Sequence, residues 1–182
     1  KARQIACVNK LKQIMTATIM YMDDATGYYQ VKGVGSPSQM WTDTLLSSKY
    51  VTSDPVKIFR CPSLKCSPSF WVSSKSYGIN WRRPGIYTGE WGVYGTIKEI
   101  KVPTQYVIYA DTAYTMINTN YPNQAYLFAY KLSRQAGVNL RHTNQANLAF
   151  IDGHVSSKGF HEMVQNEITG VILEDGSELS TI

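Results

Sequence analysis

The feature that most constrains this chain is a helical stripe at its start. Ile5, Val8, Leu11, Met15, Ile19 and Met22 step by 3, 3, 4, 4 and 3 residues. That is the apolar face of an amphipathic helix. The pattern is already running at residue 2 with no Ser, Thr, Asp or Asn cap before it, which predicts a helix beginning upstream of residue 1. Its expected end is at 23–27, with Gly27 as the C-cap. A helix with one apolar face must be laid on something. The later sequence supplies strand-like runs at Tyr106–Ala110, Ala125–Tyr130 and Ala146–Ile151, then a tight-turn signal at Asp152-Gly153 leading into His154-Val155-Ser156. Short helices are expected at Met40–Leu46 and Phe160–Ile168, and a hairpin tip at 174–177 between Val171-Ile172-Leu173 and Leu179. Helix first and strands later predicts the α+β class, with the N-terminal helix packed on an antiparallel sheet.

Between these lies an irregular aromatic-rich insertion. Residues 63–96 carry Trp71, Trp81, Trp91, Tyr77, Tyr87 and Tyr94 among Gly, Ser and Pro. The length of 182 residues fits one domain, divided into the helix (1–26), a variable loop region (27–100) and a sheet region (101–182). Aromatic residues at 12% exclude intrinsic disorder, and no run of 18 apolar residues crosses a bilayer. Charged residues are only 17%, against about 25% in an average domain. Ser, Thr, Asn, Gln and Tyr must then carry the polar surface, a balance commoner outside the cytosol. The net charge of +5 is polarised, with Lys1, Arg3, Lys10 and Lys12 at the start and Glu167, Glu174, Asp175 and Glu178 at the end. The basic start reads as a solvated helix face or as one that meets phosphate headgroups. Spread over the chain it is too weak a footprint to predict a nucleic-acid partner.

Cys7, Cys61 and Cys66 do not match a zinc knuckle or a redox C-x-x-C. A structural disulfide with one thiol left over is expected, which implies an oxidising compartment. Three buried free thiols are the alternative.

Four local motifs in order resemble a known family. Residues 2–22 resemble the helix that follows the apolar segment of prepilin-type proteins, with Lys10 as an extra residue between Asn9 and Leu11. Arg60-Cys61-Pro62-Ser63 is similar to that family's Cys-Pro-Ser turn, and Ser76-Tyr77-Gly78-Ile79-Asn80 to its Ser-Tyr-Gly-x-Asn segment. His142 followed by nine residues and Asp152-Gly153 resembles the H-x9-DG signature of pseudopilin-like proteins, and Asp111 falls where the family often has an Asp after a strand. The resemblance implies a pilin-like fold. It also implies a non-enzymatic, membrane-anchored subunit of a type II secretion or type IV pilus-like fibre. The domain would sit in the periplasm or at the cell surface, on an apolar N-terminal anchor ahead of residue 1. Other pilin-like subunits, the inner membrane and the secretion machinery are the implied partners. Ile5, Val8 and Met15 would pack on the sheet, while Lys1, Lys12 and Thr16 would face neighbours or headgroups.

The family positions also suggest a Cys7–Cys61 bridge, with Cys61–Cys66 as the local alternative. For the H-x9-DG motif three readings stand. His142 and Asp152 pair by hydrogen bonding and fix a hairpin, with or without Asp111 as a third member. Asp111 and Asp152 bind calcium, as major pseudopilins do in a C-terminal loop. Asp111, His142, Asp152 and His154 form a transition-metal catalytic site, against which stands the lack of a nearby Glu and of a G-x-S-x-G elbow. A binding class competes with the fibre reading: exposed Trp71, Trp81 or Trp91 stacking on sugar rings of a cell-surface glycan.

Overall fold

In the computed structural model, residues 1–32, 40–52, 54–63, 77–81, 86–89, 92–114, 125–131, 136–174 and 177–180 are described. The first helix, α1 (Ala2–Asp24), stops where the sequence breaks its pattern. The amide of Gly27 donates to the Met22 carbonyl at 2.7 Å, and Gly27 takes φ +90°, a conformation that suits a residue without Cβ. Along α1 the buried side is Cys7, Leu11, Ile14, Met15, Ala17, Thr18 and Met22. This is a stripe of the expected width, rotated from the expected one. Ile5 is 60% exposed, and Val8 and Ile19 are half-buried. Cys7 and Thr18 lie on the buried line although neither is strongly hydrophobic. Thr18 can sit there because its hydroxyl donates to the Ile14 carbonyl (2.8 Å) and meets the Tyr109 hydroxyl (2.9 Å).

The next elements are β1 (Tyr28–Lys32), α2 (Trp41–Ser47), α3 (Pro55–Phe59) and β2 (Gly78–Asn80). There follow β3 (Ile86–Gly89), β4 (Gly92–Thr96), β5 (Val107–Ala110), β6 (Thr112–Tyr114), β7 (Leu127–Phe128) and β8 (Ala136–Asn139). The chain ends in β9 (Ala146–Phe150), β10 (Val155–Lys158), α4 (Phe160–Val164), β11 (Gly170–Ile172) and β12 (Glu178–Ser180). Single helical turns stand at Ile97–Glu99 and Pro103–Gln105.

Three sheets form in place of the one antiparallel sheet expected. The central one runs β10-β9-β5-β2-β7, a second runs β12-β11-β8-β6, and a third β1-β4-β3. Most neighbours are antiparallel, but β2/β7 and β11/β8 are parallel. With α1 preceding them, this is an α+β arrangement. The aromatic insertion is more regular than expected where it is described, since β3 and β4 form an antiparallel hairpin that pairs with β1.

Strand alternation explains why the central sheet is covered on both sides. On β9, Ala146, Leu148 and Phe150 join one apolar cluster, which includes Val138, Met163, Ile168 and Val171. Ala149 and the following Ile151 join another, with Leu11, Ile14, Met15, Trp41, Phe59, Tyr77 and Tyr109. All five residues of β9 are buried. The strand between two cores thus carries little charge, and its one polar side chain, Asn147, is taken up below. The β9–β10 turn presses on the helix. Gly153 holds φ +97°, and a Cβ there would come within 3.1 Å of Ile19.

Candidate functional site

Six buried polar residues, Asp111, Thr112, Asn139, Arg141, His142 and Asn147, gather around the step between β5 and β6. Asp111 lies in the one-residue step between β5 and β6 and is fully buried. That step lets its backbone serve two sheets. Its amide donates to the Asn147 carbonyl on β9 (3.0 Å), and its carbonyl accepts from the Asn139 amide on β8 (2.8 Å). Its carboxylate Oδ2 accepts from the Asn147 amide at 2.8 Å. Two cations face it: His142 Nε2 at 3.3 Å from Oδ2, and Arg141 Nε at 4.0 Å from Oδ1. The Arg141 Nη2 donates to the Thr112 carbonyl.

Arg141 and His142 come from the β8–β9 connection. Thr143 and Asn144 both take positive φ (55° and 58°), and the His142 amide donates to the Gln145 carbonyl at 3.0 Å. These two residues make a tight turn between β8 and β9. It turns the His142 ring inward, to 5% exposure. There Nε2 also meets Cys61 Sγ at 3.5 Å. Cys61 follows α3, and its sulfur lies 2.7 Å from Cys7 Sγ on α1. Both are free thiols. Lys10 Nζ donates to the Arg60 carbonyl (2.9 Å) and Gln4 Nε2 to Gln145 Oε1 (3.2 Å), so α1 is fastened to both segments that frame the site.

The arrangement polarises its members. Cys7 is pushed above the ordinary thiol range, first by its hydrogen bond with Cys61 and then by burial. Cys61 is lowered to about 5: the Cys7 thiol donates to its sulfur, burial opposes, and His142 adds to the lowering. Burial pulls His142 down, but hydrogen bonds to Asp111 and Cys61 outweigh it and raise the imidazole to about 9. The reduced cluster is therefore a Cys7 thiol against a Cys61 thiolate, with an imidazolium shared between that thiolate and the Asp111 carboxylate. One donor atom each from Cys7, Cys61, Asp111 and His142 falls within 4.8 Å of the others, a set with the chemistry of a metal site. A surface depression of about 490 Å³ lies outside, with Arg3, Ser63, Arg141 and His142 in its wall.

The expected His142–Asp152 pair does not form. The two residues stand at opposite ends of β9, and a five-residue strand separates its ends by about 13 Å. Asp152 instead pairs with His154 across the β9–β10 turn, Oδ1 to Nδ1 at 2.6 Å, on the surface. His142 takes the other partner considered, Asp111. The same separation divides Asp111 from Asp152, so the two do not make one calcium site, and the four-residue set with His154 splits into two pairs. Gly153 serves the turn, as expected of the motif. Cys7 and Cys61 are brought together as the family positions suggest, in contact and without a bond; Cys66 lies outside the described residues. Trp81 is half-buried and packed against the helix-side core, not displayed for stacking, while Trp71 and Trp91 lie outside the described residues.

Sequence reasoning missed Arg141, Asn147 and Asn139. Their signal was a polar residue inside an otherwise apolar strand run, Val-Asn-Leu-Arg-His and Ala-Asn-Leu-Ala-Phe. Burial of such residues calls for partners. Asn139 Nδ2 donates to the Ile172 and Leu173 carbonyls, Asn147 Oδ1 accepts from the Ser157 hydroxyl and Arg141 Nη2 donates to the Thr112 carbonyl, while Arg141 Nη1 and Asn147 Nδ2 have no hydrogen-bond partner among the described residues. Compared with family models, with curated proteins and with solved structures, the chain matches none of them.

Proposed function

We propose that the chain is a non-enzymatic, pilin-like subunit of a type II secretion or type IV pilus-like fibre, anchored in the membrane by an apolar helix N-terminal to residue 1. The observation that carries this reading is α1 itself. One stripe of this 23-residue helix is seated across β9 and β10, while Lys1, Lys12 and Thr16 on the rest of its surface are exposed. Two large apolar side chains are exposed with them, Ile5 at 60% and Met20 at 52%. A helix held by its own sheet on one side and open on the other suits bundling with copies of itself, and headgroups would suit the lysines. The four motifs in family order support the same reading. The buried cluster then serves structure: it locks α1, the segment after α3 and the β8–β9 turn into one unit, so that a pull on the helix is borne by the sheet.

The test is the natural reading frame upstream of Lys1, expressed with the chain and fractionated. The expected result is a Gly-Phe-Thr-Leu-Ile-Glu-like processing site, then about 20 apolar residues, and a protein that leaves the membrane only with detergent. A polar upstream sequence, or a chain wholly in the soluble fraction, overturns it.

A further inference from the structure

We propose that Cys7 and Cys61 are a reversible dithiol–disulfide couple, with Cys61 as the sulfur that exchanges with an external disulfide and His142 as the residue that positions it. The proposal stands apart from the fibre reading and survives its failure.

The geometry separates this from the competing chemistry of the same residues. In a tetrahedral zinc site with Zn–S near 2.3 Å, two sulfurs lie about 3.8 Å apart. In a disulfide they lie about 2.05 Å apart. The observed 2.7 Å is nearer to the bond. Asp111 Oδ2 is also already engaged by the Asn147 amide and His142. Beside Oδ1, which accepts no hydrogen bond among the described residues, the Arg141 guanidinium stands 4.0 Å away, a cation that disfavours a second positive ion there. Nor do the residues make a cysteine-protease relay. His142 turns the same nitrogen, Nε2, to both Cys61 and Asp111, so no second nitrogen links base to carboxylate.

The two sulfurs are inequivalent. Cys7 is on a helix face with no exposure, beside the Tyr77 hydroxyl. Cys61 touches His142, which lines the depression, and lies two residues from Ser63 in the same wall. Cys61 is itself 2% exposed against none for Cys7, so of the two it is the sulfur nearer an incoming reagent. Lys1, Arg3 and Arg141 against the single Glu174 leave that wall net basic, which suits an anionic disulfide such as oxidised glutathione. The lowered Cys61 agrees with the same polarity.

The step balances as follows. The Cys61 thiolate attacks one sulfur of the external disulfide and releases the first thiolate. Cys7, losing its proton, attacks the Cys61 sulfur of the mixed disulfide, forms the Cys7–Cys61 bond and releases the second. The two protons, one from Cys7 and one from the His142 imidazolium, end on the two released thiols. The pair loses two electrons and the external disulfide gains them. The product staples α1 to the segment after α3, with 53 residues between the two cysteines.

The test uses the reduced full chain and oxidised glutathione, with peptide mapping by mass spectrometry, zinc analysis and rates from pH 6 to 9. The expected product is a Cys7–Cys61 peptide pair, 2 Da lighter than the thiols, reversed by reduced glutathione. An ordinary thiol with a pKa near 8.5 loses about 25-fold in rate between pH 9 and 7; Cys61 is expected to lose less than threefold. In Cys7→Ser the mixed disulfide is expected to stop at Cys61. His142→Gln is expected to steepen the pH slope toward the ordinary one without reaching it, since the Cys7 hydrogen bond remains, a readout that a purely structural histidine would not move. The wild-type pH profile decides the matter even where a variant fails to fold. Pairing of Cys66 with either residue overturns the proposal, as does one tightly held zinc per chain with both thiols intact, a rate that follows the ordinary thiol slope, or no reaction at all.

Discussion

Two aspartate–histidine pairs flank β9, and they differ in everything except chemistry. At one end Asp111 and His142 are buried beneath α1, and the aspartate is held by backbone from two strands and by Arg141. At the other end Asp152 and His154 meet across an exposed turn. There the closer contact, 2.6 Å against 3.3 Å, belongs to the pair with the side chains 27% and 44% in water. Distance alone would rank the turn first. Burial reverses the ranking, because water screens the exposed pair and a lost partner there is replaced by solvent. In the interior a lost partner leaves a charge that nothing replaces.

The comparison breaks most easily at Asp111. Asp111→Ala leaves Arg141 and His142 facing a hole, and is expected to cost about 3–5 kcal/mol in urea unfolding; a loss below 1 kcal/mol would put the cluster on the same footing as the turn. Next is the helix that covers it. Leu11→Ala, on the buried line, is expected to cost about 2–5 kcal/mol, and Ile5→Ala at most about 0.5 kcal/mol. Equal losses would mean that α1 is seated on the other stripe.

Proton linkage sharpens the contrast. The folded-state value of His142, about 9, lies above its ordinary 6.5. Its stabilising contribution is therefore complete below pH 6.5 and is lost as pH rises through 9. Cys61, lowered to about 5 from 9.0, has the opposite slope: its contribution is complete above pH 9 and is lost as pH falls toward 5. Stability curves of the disulfide form, where Cys61 cannot titrate, should show the His142 decline alone, and His142→Gln should flatten it. A decline that persists in that variant would assign it elsewhere.

The smallest effects belong to the turn. Asp152→Ala is expected to cost under about 1 kcal/mol by the same unfolding measurement. Calcium at millimolar concentration is expected to leave Tm within a degree of its value in chelator. A rise of several degrees would bring back an ion at Asp111 or Asp152.

How much of this could be read from the residues follows from the length scale of each signal. The existence and approximate end of α1 were legible, since a 3.6-residue period over twenty residues is hard to produce otherwise; the C-cap is Ala25, two residues before the expected Gly27, which instead closes the turn that follows. Its rotation was not, because the buried line runs through Thr18, which hydropathy ranks low, and through the small Cys7 and Ala17, while Ile5 lies off it. Strands β5, β9 and β10 and the Asp152-Gly153 turn were legible from alternation and turn chemistry. Part of the expected run Ala125–Tyr130 forms β7, but the short strands β6 and β8 were not legible, since their places depend on partners far along the chain, β8 across a parallel pairing with β11. In the site, His142, Asp111, Cys7 and Cys61 were each visible, but their grouping was not. Spacing put His142 with Asp152, whereas an extended β9 holds them apart and folds Asp111 into that place.

The most direct test of the central claim, that burial rather than motif or distance decides which pair matters, is a double-mutant cycle on each. Asp111→Asn with His142→Gln is set against Asp152→Asn with His154→Gln, all in reversible urea unfolding at pH 6. The account predicts a coupling of about 1.5 kcal/mol or more for the buried pair and under about 0.5 kcal/mol for the pair in the turn. Equal couplings, or a larger one in the turn, would contradict it.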